Sequence, residues 1–142
     1  EMGKSGTGKQ YNSLGILYAR YGLLDKAREA FQKSIDLGYA PAYTNIANVD
    51  FLLKDYEAAI VNYEAALKLQ PDNRTALIGL ARAKYEVDAY ADADALYGKV
   101  MQLDPALAAR YAYLSSKVDS TTSRASSAAA DRGGATAWDE EP

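Results

Sequence analysis

The chain of 142 residues contains no cysteine and no histidine. Without cysteine it has no disulfides, no thiolate metal ligands and no thiol redox chemistry, so both reducing and oxidising compartments stay open. Without histidine it also lacks the commonest general base and metal ligand. Carboxylates are plentiful, but those near a turn, Asp88, Asp92 and Asp94 for example, are typical of helix caps and solvated faces. We therefore expect no catalytic site, no metal site and no cofactor, and we expect that the protein is not an enzyme.

Long apolar runs and strong charge are absent as well. No stretch of about 18 apolar residues is present, so we expect no direct membrane insertion. The net charge of −3 is small and argues against the basic face of a nucleic-acid binder, so we expect no nucleic-acid partner. The composition and charge fit a soluble protein of the cytoplasm or the periplasm, and they do not decide the compartment. Because the chain begins at Glu1, it stays open whether the sequence is a fragment of a longer protein.

The first eight residues are rich in glycine. Residues 3–10 nearly match the phosphate-binding pattern G-x-x-x-x-G-K-[ST], but Gln10 stands where the pattern needs a hydroxyl. Only two residues precede Gly3, which leaves no room for the strand that such a loop follows. We therefore expect a flexible lead-in at residues 1–8 rather than a nucleotide site.

The informative feature of the chain is a repeated helical spacing. Ala59, Tyr63 and Ala66 lie at i, i+4 and i+7 on one helical face, and Pro71 ends that helix. The same spacing starts 32 residues earlier at Ala27 and 34 residues later at Ala93. A second apolar stripe precedes each copy across a short turn, so each unit is a helix A, a turn and a helix B.

These residues resemble the tetratricopeptide repeat (TPR) family, whose unit is about 34 residues long. The resemblance covers about residues 8–107. It implies an all-α, right-handed α-solenoid of antiparallel helix pairs, with three TPR units and a C-terminal capping helix that covers the last apolar face. The expected boundaries are a TPR domain at 9–119, with repeats at about 8–39, 40–73 and 74–107 and a capping helix at 106–119, and a low-complexity, mostly disordered tail at 120–142.

In that family, helix A lines a concave groove that binds peptides or partner segments. The resemblance therefore implies a non-catalytic protein–protein interaction scaffold, with a protein or peptide partner whose identity the sequence does not give. Asparagine side chains in such a groove can bracket a peptide backbone, and arginines can hold a carboxylate. A merely solvated inner face is the alternative. The implied groove residues are Lys9, Asn12, Ile16, Arg20, Thr44, Asn48, Phe51, Ile78, Arg82 and Tyr85.

One TPR subclass binds the C-terminal carboxylate of chaperones through two lysines, two asparagines and an arginine. Under the resemblance, the five corresponding positions here hold Asn12, Ile16, Asn45, Thr75 and Gly79. Only Asn45 matches, so we do not expect recognition of that type.

The C-terminal tail contains a candidate ligand, formed by Trp138, Asp139, Glu140 and Glu141, in which an aromatic anchor adjoins negative charge. We hypothesise that this segment docks into the groove of its own chain or of a neighbouring copy. The alternative is a passive end without a partner. A second possible function follows, namely a structural module that self-associates by end-to-end stacking or by tail docking.

Two charged residues occupy a position of the helix A stripe that faces a neighbouring helix. Asp50 and Lys84 stand where the first copy has Tyr18. Adjacent A helices stack in parallel, so we expect that these two side chains either pair or reach solvent separately. An exposed pair of this kind adds at most about 1 kcal/mol to stability.

Overall fold

The computed structural model describes residues 4–115 and 138–139. Within those ranges the chain forms α-helices and one short 3-10 helix, with no strand. The helices are α1 Lys4–Arg20, α2 Leu24–Asp36, α3 Ala42–Leu52, α4 Tyr56–Leu69, α5 Arg74–Glu86, α6 Tyr90–Leu103 and α7 Pro105–Ala109, followed by the 3-10 helix Ala112–Leu114.

Consecutive helices pack in pairs, α1 on α2, α3 on α4 and α5 on α6, and each pair stacks on the next through α2–α3 and α4–α5 contacts. The short connections inside each pair make the two helices antiparallel. The A helices α1, α3 and α5 therefore line up along one side of the array, and the B helices α2, α4 and α6 along the other. The result is the all-α solenoid that the repeat spacing predicted.

The turn inside each pair has a left-handed residue at the same repeat position. Gly22 has φ 75°, while Lys54 and Asp88 both have φ 64°. Glycine adopts this conformation without strain, whereas the other two residues do so at some cost. Side-chain caps then start several helices, since Asp55 accepts from the Ala58 N–H and Asp104 from the Leu107 N–H. These caps satisfy amides that the first helical turn leaves without partners.

Large rings packed on glycines hold the layers together. The Phe31 ring lies so close to Gly15 that a β-carbon there would stand 2.5 Å from it, and Tyr63 approaches Gly79 in the same way. Both rings are almost fully buried. The stripe of small and large residues predicted for the B helices therefore forms the core, because each aromatic fills the space that a glycine on a packed helix leaves.

Both ends of the array differ from the sequence-based expectation. Residues 4–8 are not a flexible lead-in but the first turns of α1, where Gly8 is buried and its carbonyl accepts a 2.6 Å hydrogen bond from Ser34 Oγ. The capping segment is not one continuous helix, because α7 ends at Ala109. Tyr111, Tyr113 and Leu114 are all buried, and that spacing does not fit one helical face. Residues 116–119 and most of the tail lie outside the described residues.

Asp50 does not pair with Lys84. It is buried, and it receives hydrogen bonds of 2.8 Å from Arg28 Nε on α2 and from Asn62 Nδ2 on α4. Lys84 instead lies 3.7 Å from Asp92. Burial raises the pKa of Asp50, while the bonds from Asn62 and Arg28 act in the opposite direction. Asp50 is therefore a buried carboxyl that links an A helix to the two flanking B helices.

Replacing Gly79 by alanine tests the ring-on-glycine packing. The new methyl group would stand 2.3 Å from Tyr63 Cζ, so we expect Gly79→Ala to lower the free energy of unfolding by about 1–3 kcal/mol through overpacking. Gly98→Ala is the matched control, because nothing lies within 4 Å of its β-carbon and alanine favours a helix by up to about 1 kcal/mol. Urea unfolding measures both, and a stabilised Gly79→Ala variant would contradict this packing.

The raised pKa of Asp50 gives stability a pH dependence with a definite sign. The native state keeps the proton of Asp50 to higher pH than the unfolded chain does. The contribution of this protonation to the free energy of unfolding is therefore complete below the ordinary Asp pKa of 3.8, and it is lost as pH rises through the native pKa. In Asp50→Asn that loss is absent, so the variant should gain stability relative to the wild type as pH rises above 3.8. Urea unfolding of both proteins at a series of pH values from below 3.8 upward measures this gain. A stability difference between the two proteins that does not change with pH would contradict a raised pKa of Asp50.

Candidate functional site

Asp139 lies on the A-helix side of the array, where the side chain of Asn45 binds its backbone. Asn45 Nδ2 donates to the Asp139 carbonyl at 2.7 Å, and the Asp139 N–H donates to Asn45 Oδ1 at 2.6 Å. One side-chain amide thus satisfies both backbone groups of one residue, as a neighbouring strand would. An arrangement of this kind holds extended backbone whatever side chain that residue carries.

Two further asparagines complete the contact with Asp139. Asn12 Nδ2 donates to the same carbonyl at 3.1 Å, and Asn73 Nδ2 donates to Asp139 Oδ2 at 3.0 Å. Asn45 Nδ2 also donates to Asn12 Oδ1 at 2.8 Å, which fixes the two amides relative to each other. We call Asn12, Asn45 and Asn73 the asparagine clamp.

The preceding residue, Trp138, supplies an apolar contact beside the clamp. Its ring is stacked on Phe31, with the ring centroids 5.8 Å apart and the planes 24° from parallel. It packs against the buried cluster of the first two repeats, which contains Ile16, Ala27, Phe31, Ile46 and Val49. The two-residue segment therefore combines a half-buried aromatic anchor with a bound backbone and a bound carboxylate.

Local structure holds the clamp residues in place. Asn12 on α1 and Asn45 on α3 are almost fully buried, and buried amides are costly unless they are hydrogen-bonded. Asn73 is the N-cap of α5, since its Oδ1 accepts from the Ala76 N–H at 3.0 Å. Its amide nitrogen is therefore directed across the start of α5 toward Thr44 Oγ1 and Asp139.

The groove residues implied by the resemblance fall into two groups, and the first lies near Trp138 and Asp139. Asn12 binds Asp139 directly, Ile16 belongs to the cluster that Trp138 packs on, and Thr44 accepts from Asn73. Lys9 and Arg20 belong to α1 as well, but both are exposed.

The second group lies further along the array. The Arg82 guanidinium stands 4.5 Å from the ring centroid of Phe51 and 5.2 Å from that of Tyr111. Tyr85 and Ile78 are buried in the C-terminal cluster. Asn48 accepts a hydrogen bond from the buried Tyr63 hydroxyl, whose pKa is raised by burial. This group has aromatic walls and a cation, in contrast to the neutral amides of the clamp.

Sequence reasoning left Asn45, Asn73 and Phe31 out of the proposed groove. The repeat frame used an offset of 32 residues, which places Thr44 opposite Asn12, whereas the hydrogen bond joins residues 33 apart. Asn73 caps α5 in addition to its contact with Asp139. Glu140 and Glu141, the other candidate tail residues, lie outside the described residues.

Other site chemistries find no candidate in the described part of the chain. Among residues 4–115 and 138–139, no group of His, Cys, Asp or Glu is arranged to hold a metal ion. In the same ranges, no helix has the length and apolarity needed to cross a bilayer. The phosphate-binding pattern near the N-terminus lies largely within helix α1.

Comparisons with known proteins identify the repeat. Residues 40–73, which comprise α3, α4 and the turn after them, match the tetratricopeptide repeat family. An 80-residue stretch is 29% identical to the Hsp70-Hsp90 organizing protein of Triticum aestivum, and it amounts to 55% of this chain and 14% of that protein. The chain therefore spans only a small part of that relative.

Solved structures of TPR domains share this fold over most of the chain. The first TPR of Spaghetti (RPAP3), bound to the HSP90 peptide SRMEEVD, has a TM-score of 0.70 at 23% identity over 72% of this chain and 82% of that one. The Arabidopsis OM64 TPR domain has a TM-score of 0.71 at 17% identity over 92% and 98%. These identities are low, so the likeness is one of fold. Residues 40–73 are thus a tetratricopeptide repeat, and the fold around them is that of TPR domains, so the resemblance drawn from the repeat spacing is confirmed.

Proposed function

We propose that this protein is a non-catalytic interaction scaffold that binds an extended segment of a partner protein along its A-helix groove. The observation that carries the proposal is the paired hydrogen bonding between Asn45 and the backbone of Asp139. Backbone N–H and C=O groups lose water when they enter a groove, and they need replacement partners there. The clamp supplies those partners for a single extended residue.

The clamp favours a peptide over other ligands because it is matched to backbone. Asn45 uses both amide hydrogens and its oxygen at once, donating to Asn12 and to the Asp139 carbonyl and accepting from the Asp139 N–H. A ligand without adjacent N–H and C=O groups would leave part of this buried amide without a partner, which costs about 1–3 kcal/mol. Protein segments in extended conformation have these groups at every residue.

The relatives support the same function. A structure similar to this one holds an HSP90 peptide, and the Triticum aestivum relative is an Hsp70-Hsp90 organizing protein. The bound peptide, SRMEEVD, contains three acidic residues, and the segment in this chain's groove contains Asp139. A peptide partner with acidic character is therefore compatible with both the fold and the site.

Self-association is the second candidate, and one surface favours end-to-end stacking. The outer face of α1 and α2, at the start of the array, contains a shallow cavity of about 160 Å³. Aromatic, apolar and charged side chains line it: Tyr11, Leu14, Tyr18, Lys26, Glu29, Ala30 and Lys33. A partner end seated on this face would join copies into a longer array, and the mass would then rise with protein concentration.

Binding of a synthetic peptide tests the proposed function. The receptor is the full chain carrying Trp138→Ala, and the ligand is a peptide of residues 134–142 titrated by calorimetry. We expect saturable binding that weakens at least about tenfold when Asn45→Ala is added, because losing paired hydrogen bonds costs on the order of 1.4 kcal/mol or more.

The control for that titration is Gln102→Ala, which removes an exposed amide on α6. It should leave the affinity unchanged. Binding that is insensitive to Asn45→Ala, or no binding at millimolar peptide, would contradict a peptide-binding groove at this place.

A further inference from the structure

We propose that Trp138 and Asp139 are a built-in competing ligand, so that the groove is regulated by its own chain and selects partners with an aromatic–acidic pair inside the sequence. The inference rests on the proposed function and adds two properties to it. The first is that a foreign segment must displace the tail. The second is that the recognised feature is an internal pair of residues rather than a chain end.

The contacts of the tail are those of a specific ligand. Asp139 takes part in four hydrogen bonds with the clamp, two with Asn45 and one each with Asn12 and Asn73. Trp138 adds a stacked ring contact with a residue that is itself fully buried. Aromatic pairs in this geometry contribute about 0.5–1.5 kcal/mol beyond their buried area. Backbone, carboxylate and ring are thus each bound by a different part of the site.

The order of the two side chains defines the selectivity. The aromatic residue comes first and meets Phe31, and the acidic residue follows and meets the amide of Asn73. Asn73 donates to the carboxylate while its oxygen caps α5, so its amide is not free to turn and present an acceptor. A residue with only donors at the second position would lose this bond, whereas an acidic residue gains it.

The bound carbonyl of Asp139 is a peptide carbonyl, because three residues follow it in the chain. Its partners, Asn12 and Asn45, are neutral amides. Neutral donors suit a carbonyl, whereas a terminal carboxylate is usually met by arginine or lysine. The clamp therefore does not require a free C-terminus, and it differs in this respect from the chaperone-tail subclass.

The sequence is long enough for the segment to reach its own groove. Twenty-two residues separate Ser115 from Trp138, and a chain of that length spans at most roughly 70 Å. The distance to cover is that from the end of the array to α3 and α1, and packed helices stand about 8–10 Å apart. Because short linkers give effective concentrations in the millimolar range, a tethered segment competes strongly with a free peptide of the same sequence.

Competition between the tethered and the free segment tests the inference. The probe is a fluorescein-labelled peptide of residues 135–142 with a blocked N-terminus and an amidated C-terminus, followed by anisotropy. We expect the Trp138→Ala chain to bind it at least about tenfold more tightly than the wild type, because the tail lowers the fraction of open groove. Tyr21→Ala is the control, since it removes an exposed ring, and it should behave like the wild type.

A second pair of variants tests which atoms are recognised, with the fluorescence of Trp138 as the readout, since it is the chain's one tryptophan. Asn73→Asp keeps a good helix cap but turns the donor facing Asp139 into a repelling carboxylate. We expect the emission to shift to the red and acrylamide quenching to increase. Adding Asp139→Asn, which provides a donor again, should restore the wild-type spectrum.

The possible results separate the inference from the proposed function. Equal probe binding by the wild type and by Trp138→Ala would overturn the built-in competitor and leave a peptide-binding groove intact. Binding by neither chain, whether the probe is amidated or has a free C-terminal carboxylate, would overturn the proposed function itself. A wild-type mass that doubles with concentration and falls to the monomer in Trp138→Ala would overturn docking within one chain in favour of exchange between copies. Binding of the same probe with a free C-terminal carboxylate, but not of the amidated probe, would overturn internal recognition.

Discussion

A buried primary amide must have its hydrogen-bonding groups satisfied, and the groove of this protein depends on that requirement. Asn12 and Asn45 are almost fully buried on adjacent A helices, and they bond to each other as well as to Asp139. An apolar residue at either position would have no hydrogen-bonding groups to satisfy and would pack there without a ligand. An amide there leaves donors and an acceptor directed at the groove, and extended backbone supplies their complement. The contact with Asp139 thus depends on how the two amides are packed.

The solenoid supplies the precision that this contact needs. Phe31 and Tyr63 fill the space over Gly15 and Gly79, and buried rings of this kind fix the distance between helices because interiors are close-packed. Equivalent residues of successive A helices then repeat at a constant spacing. Asn45 Nδ2, one residue past the position equivalent to Asn12, lies 2.8 Å from Asn12 Oδ1 within this arrangement. The same Phe31 that spaces the helices also receives Trp138.

The fold was predictable because it depends on the spacing of small and large residues along the chain, and that spacing can be read directly from the amino-acid sequence. The small–large–small stripe of the B helices can be recognised without knowing which helices pack against it. The site was harder to predict, because a shift of one residue in the alignment of the repeats changes which side chain faces the groove. An offset of 32 favours Thr44, and the hydrogen bond to Asn12 is made by Asn45. The structure at the two ends of the array was harder still to predict, because Gly8 and Tyr113 are buried by tertiary contacts.

The central claim is that Trp138 and Asp139 lie in the groove of their own chain. The most direct measurement is isotope-filtered NMR on an equal mixture of carbon-13-labelled and unlabelled protein. The account predicts cross-relaxation between the Trp138 indole and the Phe31 ring within one labelled chain, together with an Asp139 amide proton protected from exchange. The absence of that cross-relaxation, or its appearance only between labelled and unlabelled chains, would contradict the account.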